Sequence, residues 1–484
     1  MQYLEFILTI MPAVYVLFHR TINTKINKAY IFGLLLFIMS IHLLFDGYRL
    51  QMIPAYILWI ISIVTTFLKS YQTSAIAIRI LKIIGLVVLL IVSIALPSIF
   101  PVFELPQPTG PYKVSTKDLH LILDRDEVIT KDKADKRALM IKVWYPSNES
   151  LGEQDPYIDE GGRHGFALKY GLPNSAFNYL DKIETHIYRD INIAKEKFPV
   201  LIFSHGYNSK ANSYYALLSE IVSHGYVVFA VNHTYESTGS TFPDGNEVYF
   251  NYQYAQEIES DTWHMMEPVV KAFKNDLTFE ERHPIVKKGL TSYFVRDMVE
   301  RWAMDVVDVV NQIDDWNSSG FFKGHLDSSN IGVFGHSRGG GAAGEALLTD
   351  NRIKAGANID GVQWGRIVNT SFDDPFLYIS ADWPENKENL NSHTYINKSK
   401  NVFYEAKVLG TLHSNFMDIP YMIPVKTLSQ AGEIDPDLAI EITSKVVTAF
   451  FDKHLKNKET DLTALDADYD MLNLNVFEGN SINR

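Results

Sequence analysis

The chain has 484 residues, enough for one large domain with an accessory region, and its 46% hydrophobic and 21% charged content is that of a folded globular protein. A formal net charge of −13 argues against nucleic acid as a partner, because phosphate binding needs a basic surface. Cysteine is absent, which excludes disulfide scaffolds, thiolate metal sites and cysteine nucleophiles together.

In chain order, the long apolar runs come first, at residues 4–18, 29–45, 53–68 and 83–100. Each is at or slightly below the roughly 17 to 25 residues that a bilayer core asks for. The first lacks a basic start and three more follow, so it reads as a span rather than a cleaved signal peptide. Arg20, Lys25 and Lys28 fall between the first two runs, and Lys69, Arg79 and Lys82 between the last two. The middle loop offers only Arg49, beside Asp46. Positive loops favour the cytoplasm, which places the N-terminus and everything after the fourth span outside. His42, within the second run, reads as an interfacial or bundle-packing residue rather than a proton relay. Residues 1–103 are thus predicted to be a membrane region and 104–484 a catalytic domain, with the proline-rich stretch 97–111 as a stiff linker.

The remainder alternates β-branched or aromatic runs with amphipathic ones. Strands are predicted at 139–145, 200–203, 226–231, 331–334, 355–359, 376–379 and 402–404. Helical patterns lie between them, as in "YYALLSEIVSHG" and "MVERWAMDVVDVVNQI", and a last helix presents Leu438, Ile442, Val446 and Phe450 on one face. This is the pattern of an α/β protein with a mostly parallel, doubly wound sheet. The stretch 234–300, rich in aromatics and methionine, is longer than a crossover needs; a lid over the site and an ordinary helical insertion are both open.

Gly335-His336-Ser337-Arg338-Gly339 fits G-x-S-x-G directly after a strand and before a small-residue helix. A strand-to-helix turn this sharp holds its central residue in a strained conformation, and a Cβ two positions to either side would collide with it; hence Gly335 and Gly339. A serine hydroxyl needs a base, and the base an orienting acid, in the chain order serine, acid, histidine. Of the histidines after Ser337, His454 lies at the lysine-rich end of the last helix and reads as solvated, and His393 lies in a polar loop. His413, in a glycine-containing turn just past a strand, suits the base. Asp360 and Asp382 both end strands, and position alone leaves the choice between them open. An oxyanion hole needs two donors: the amide of Arg338, after the nucleophile, and that of Tyr207, in the loop that closes "FPVLIFSHGYNS". His205 has no carboxylate or second histidine at ligand spacing, so no metal is expected, and His336 should face away from Ser337 and pack.

These segments, with "TGPYKVSTKDLHL", "SHGYVVFAVNH", "IKAGANIDG", "GTLHSNFMD" and the closing "FEGNSINR", resemble in order the platelet-activating factor acetylhydrolase family, plasma and type II, and related bacterial esterases over residues 109–484. The resemblance implies the α/β-hydrolase fold, preceded here by four transmembrane helices. It implies Asp360 as the triad acid, with Ser337 and His413. It also implies a serine ester hydrolase acting on short-chain or phospholipid-like esters through an acyl-enzyme, with no cofactor. Arg338 stands where the family commonly has phenylalanine, and Tyr207 where it often has leucine. The expected partners are an ester or lipid substrate and, through the helices, a cell membrane. An acyltransferase or polymer esterase with the same triad, or a retired hydrolase serving as a binding protein, are the alternatives.

Overall fold

The structure, a computed structural model, describes residues 2–67, 76–384, 390–395 and 400–478. The apolar runs fold as helices α1 (Tyr3–Lys25), α2 (Lys28–Phe45), α3 (Ile53–Phe67) and α4 (Ile76–Ile99). They outrun most of the apolar stretches because helical hydrogen bonding continues into polar flanks until something caps it. Asn27 does so for α2, its side chain accepting the Ala29 amide at 2.9 Å. Counting the turn before α3, all four are long and apolar enough to cross a membrane. Leu68 and Lys69 of the expected third span and loop lie outside the described residues. Arg49 joins Glu5 and the Phe100 carbonyl within the bundle. His42 packs there too, bonded to the Tyr56 hydroxyl at 3.0 Å and to Asp46 at 3.3 Å.

Among the described residues thirteen strands follow: β1 (Lys113–Asp126), β2 (Lys136–Ser147), β3 (Glu153–Gln154), β4 (Tyr188–Arg189), β5 (Phe198–Ser204), β6 (Val227–Asn232), β7 (Gly239–Thr241), β8 (Glu247–Tyr249), β9 (Leu326–His336), β10 (Ile353–Ile359), β11 (Phe376–Ser380), β12 (Val402–Val408) and β13 (Leu472–Glu478). Eleven form one sheet in the order β13-β12-β11-β10-β9-β5-β6-β2-β1-β4-β3, and β7 pairs with β8. The run from β6 through β5 and β9 to β12 is parallel, and antiparallel β13 and β2 close it on either side. Every predicted strand is present, extended by ladder partners that local pattern does not reveal. The 14-residue β1 was not predicted as a strand, and it pairs with β2 along nearly its whole length.

The chain passes from β5 outward to β6 and then returns to β9 on the other side of β5. That reversal leaves a crevice beyond the carboxyl ends of β5 and β9, where open α/β sheets bind ligands. Helices cover both faces of the sheet. On one, α5 (Glu160–Lys169), α6 (Tyr215–Ser223) and the long helix Pro436–Leu455 border a core containing Leu201, Phe203, Ile359 and Phe451. The other face holds Val200, Ile202, Val333 and Tyr378. Helices α7 (Tyr252–Thr262), α8 (Glu267–Lys274), α9 (Phe279–Ser292), α10 (Val295–Ser318) and α11 (Arg338–Thr349) complete the frame. α8, α9 and the start of α10 build a third apolar cluster, against which Tyr207 and Val362 pack.

The stretch 97–111, expected to be a stiff linker, is instead packed against the rest of the chain. Pro97 lies inside α4, and Phe103 and Leu105 are buried in the core beneath the sheet. Thr109 bonds Glu220 through its amide at 2.7 Å, and the Gly110 and Tyr112 amides bond Ser223 at 3.0 and 3.1 Å. Apolar anchors and backbone bonds thus strap the segment to α6. Gln51, before α3, adds a 2.8 Å bond to the Ala176 carbonyl of the part that follows the helices.

Candidate active site

Strand β9 delivers Ser337 into a backbone conformation that a side chain rarely adopts, with φ of +59°. The turn is that tight because β9 feeds α11 with no intervening loop. A Cβ at Gly335 would lie 2.3 Å from the Gly339 carbonyl oxygen, and one at Gly339 only 2.1 Å from that of Ser204. Both glycines are needed for the close approach of this elbow to β5.

Asp360, itself at φ +49°, leaves the end of the next strand, β10, and His413 follows β12. His413 Nε2 lies 2.9 Å from Ser337 Oγ, and its Nδ1 lies 2.6 Å from Asp360 Oδ2. The other Asp360 oxygen accepts the Ala381 amide and the Trp383 indole N–H, each at 2.9 Å. Asp382, between those two donors, points elsewhere: it accepts the Gly410 amide at 3.0 Å and so pins the turn leading to His413. The structure therefore brings Asp360, not Asp382, to the histidine. Asn415 braces the same loop, its side-chain oxygen accepting the Leu412 and Gly432 amides at 2.8 and 2.7 Å.

The remaining histidines fall away from the serine. His454 is half-buried rather than solvated, bonded to the Tyr404 hydroxyl at 3.2 Å, and burial pulls its pKa down to about 4. His393 is buried against the Phe279 ring and within 3.2 Å of the Arg282 guanidinium. His336 packs, as its position implied, but with a purpose. Its Nδ1 meets the Tyr214 hydroxyl at 2.9 Å, and its Nε2 meets the His413 carbonyl at 3.1 Å. Tyr214 in turn accepts the Gly206 amide at 2.9 Å. Burial and the nearby His413 hold His336 far below the usual histidine pKa. It is thus neutral, and a single chain of bonds ties the loop after β5 to the backbone of His413.

That loop carries Tyr207. A Cβ on Gly206 would lie 3.3 Å from that of Ser337, which measures how closely the loop passes the serine. The Tyr207 and Arg338 amides donate to no protein acceptor among the described residues. His205 is no ligand: it meets the Gly206 carbonyl at 2.7 Å and accepts the His233 amide at 3.1 Å. Among the described residues one group has metal-like spacing, Glu160, His164 and Glu247, on α5 and β8; its histidine already bonds Glu247 at 2.8 Å.

Sequence reasoning passed over a second array beneath this loop. Ser204 Oγ lies 2.7 Å from His233 Nε2, and His233 Nδ1 lies 2.7 Å from Asp305 Oδ2. Arg137 grips the same aspartate with two nitrogens, at 2.6 and 3.1 Å. The histidine signal was visible at the end of "VVFAVNH", but its aspartate comes from α10, far along the chain.

With this geometry in hand, comparison with known proteins is informative. The profile of "Platelet-activating factor acetylhydrolase, isoform II" matches residues 98–476. A platelet-activating factor acetylhydrolase of Cavia porcellus is 26% identical over 400 residues, covering 78% of this chain and 82% of that one. The Gallus gallus protein of the same name is 27% identical, covering 78% and 90%. A probable 1-alkyl-2-acetylglycerophosphocholine esterase of Arthroderma benhamiae is 24% identical, covering 78% and 95%. A solved ferulic acid esterase from Streptomyces cinnamoneus superposes with a TM-score of 0.59 at 23% identity, over 77% of this chain and 99% of that one, a likeness of fold. The profile match spans most of the chain, and the chain belongs to the platelet-activating factor acetylhydrolase, isoform II, family.

Proposed function

We propose that the chain is a membrane-held serine carboxylic ester hydrolase acting on short-chain or phospholipid-like esters. The hydrogen-bonded row Ser337–His413–Asp360 at the mouth of the β5/β9 crevice carries the reading. In it, His413 Nε2 takes the proton of Ser337 as Oγ attacks the ester carbonyl, while Asp360 accepts from Nδ1–H and steadies the imidazolium. The Tyr207 and Arg338 amides receive the oxyanion, which is why their lack of protein acceptors matters. Collapse breaks the C–O bond, and the alcohol leaves with the proton from His413. Water then repeats the cycle on the acyl-enzyme, losing its proton to His413, and releases the acid.

The side-chain hold on Asp360 supports its place in the triad, since Trp383 and Ala381 fix the carboxylate that orients the base. The four apolar helices support membrane attachment, and the basic residues of their loops favour an extracytoplasmic catalytic part. α8, α9 and the start of α10, packed over Tyr207, serve as the roof of the crevice. A fluorophosphonate probe should label the wild-type chain on Ser337 and leave Ser337→Ala unlabelled, with turnover of a 4-nitrophenyl ester lost in parallel. Equal labelling and turnover in the variant would end the serine mechanism.

A further inference from the structure

The side chain of Arg338 holds an unusual position for a cation. Its guanidinium carbon lies 3.8 Å from the centre of the Tyr207 ring and 5.4 Å from that of Phe294. One of its nitrogens sits 3.8 Å from the Met298 sulfur. Among the described residues no carboxylate pairs with it: Glu236, the acid acting on it, is already bound by Arg301 and by the Trp302 indole at 2.6 Å. Burial pulls the group below the usual arginine pKa, the mark of a cation short of counter-charge.

Aromatic faces replace only part of the hydration that a guanidinium loses, and a planar fork of donors matches carboxylate or phosphate oxygens. The location adds direction. Tyr207 and Arg338 supply the two unpartnered amides beside Ser337, and the Tyr207 ring carries the guanidinium, so the cation stands within one side-chain length of the backbone that flanks the reacting carbonyl. It is set into the same third apolar cluster that covers the crevice, in a chain whose overall charge is −13.

We infer that the Arg338 guanidinium binds an anionic group, a carboxylate or phosphate, borne by the ester substrate a few bonds from the carbonyl that Ser337 attacks. This rests on the esterase reading above and narrows it to anionic esters. Arg338 here is a specificity residue through its side chain, separate from the role of its amide.

The test compares matched esters on the full chain in detergent micelles: neutral 4-nitrophenyl pentanoate, 4-nitrophenyl hemiglutarate with its charge on the acyl side, and an acetyl ester of glycerol phosphate with its charge on the alcohol side. Relative to the neutral ester, Arg338→Gln should lower kcat/KM for one of the charged esters by tenfold or more, chiefly through KM, and Arg338→Lys should recover part of that loss. Whichever charged ester responds identifies the side of the scissile bond that the cation faces. Equal losses on charged and neutral esters would mean that the side chain only props the Tyr207 loop, and would overturn the inference. So would a wild-type chain in which the charged esters gain nothing from Arg338. Failure of the esterase reading looks different, because Ser337→Ala would then keep its turnover of all three.

Discussion

The Ser337–His413–Asp360 row and the buried Ser204–His233–Asp305 row have nearly the same bond lengths, 2.9 and 2.6 Å against 2.7 and 2.7 Å. Their surroundings differ in every respect that matters to chemistry. The side chain of His413 is 43% exposed, whereas Ser204, His233 and Asp305 are fully buried. Asp360 has neutral N–H donors for company, whereas Asp305 faces Arg137 and Arg125. The His233 ring lies flat on Trp302, with centroids 4.0 Å apart, and cannot swing toward a substrate. No elbow lifts Ser204 out of its strand; Ser337 has one. Three residues in a row thus form a buried pin in one place and, in the proposed mechanism, a nucleophilic row in another, and access with unpaired amides separates the two.

The largest effect should come from Ser337→Ala, which is expected to lower esterase kcat/KM by about 10⁴-fold or more with the fold intact. Ser204→Ala, in contrast, should keep fluorophosphonate labelling; loss of labelling there would mean that the two rows had been told apart wrongly. Next comes Asp360→Asn, expected to cost roughly 10³- to 10⁴-fold, against less than about tenfold for Asp382→Asn. Steady-state assays on the two variants measure this directly.

The buried row should speak through stability. Asp305→Asn removes one of the two buried carboxylates that Arg137 grips, leaving Glu127 at 2.8 Å, and is expected to cost about 3 kcal/mol in denaturant unfolding. Its pH dependence has a definite sign. Burial alone would raise the Asp305 pKa, but Arg137 and His233 overcome it and hold the carboxyl well below the usual range. A depressed folded pKa stabilises fully above the unfolded value near 4, and the benefit fades as pH falls toward the folded one. The gap between wild type and Asp305→Asn should therefore narrow on acidification below about pH 4, and a widening gap would refute the ion-pair account. The smallest effect is that of Ser204→Ala, about 1–2 kcal/mol for an unpaired His233 nitrogen.

Much of this site could be read from the chain because its chemistry is local. The glycines around Ser337 and the small residues of α11 announce an elbow within a few positions. His413 follows a strand and a glycine, which singles it out from His393 and His454. What stayed hidden depends on distant partners. Strand-end position left Asp360 and Asp382 alike, so that only the family resemblance pointed to Asp360; in the structure Ala381 and Trp383 hold Asp360 while Gly410 holds Asp382. The pin beneath the loop joins β5, β6 and α10, and no spacing rule connects those segments. β1 was missed because its ends, 115–118 and 124–126, are polar runs without the apolar alternation of a strand, and its length follows from pairing with β2. The proline-rich stretch looked like a spacer by composition, and only its buried Phe103 and Leu105 contradict that.

That stretch sets a mechanical rule for the whole molecule. A catalytic part on a loose leash samples a hemisphere around its root, and it meets substrate by reach. Here two apolar anchors and the bonds to Glu220 and Ser223 lock the root, and Gln51 adds a second fastening. The crevice over Ser337 keeps one bearing relative to the helix bundle, as an instrument does on a fixed mount. Aim replaces reach, and an ester must arrive along the approach that this mount leaves open.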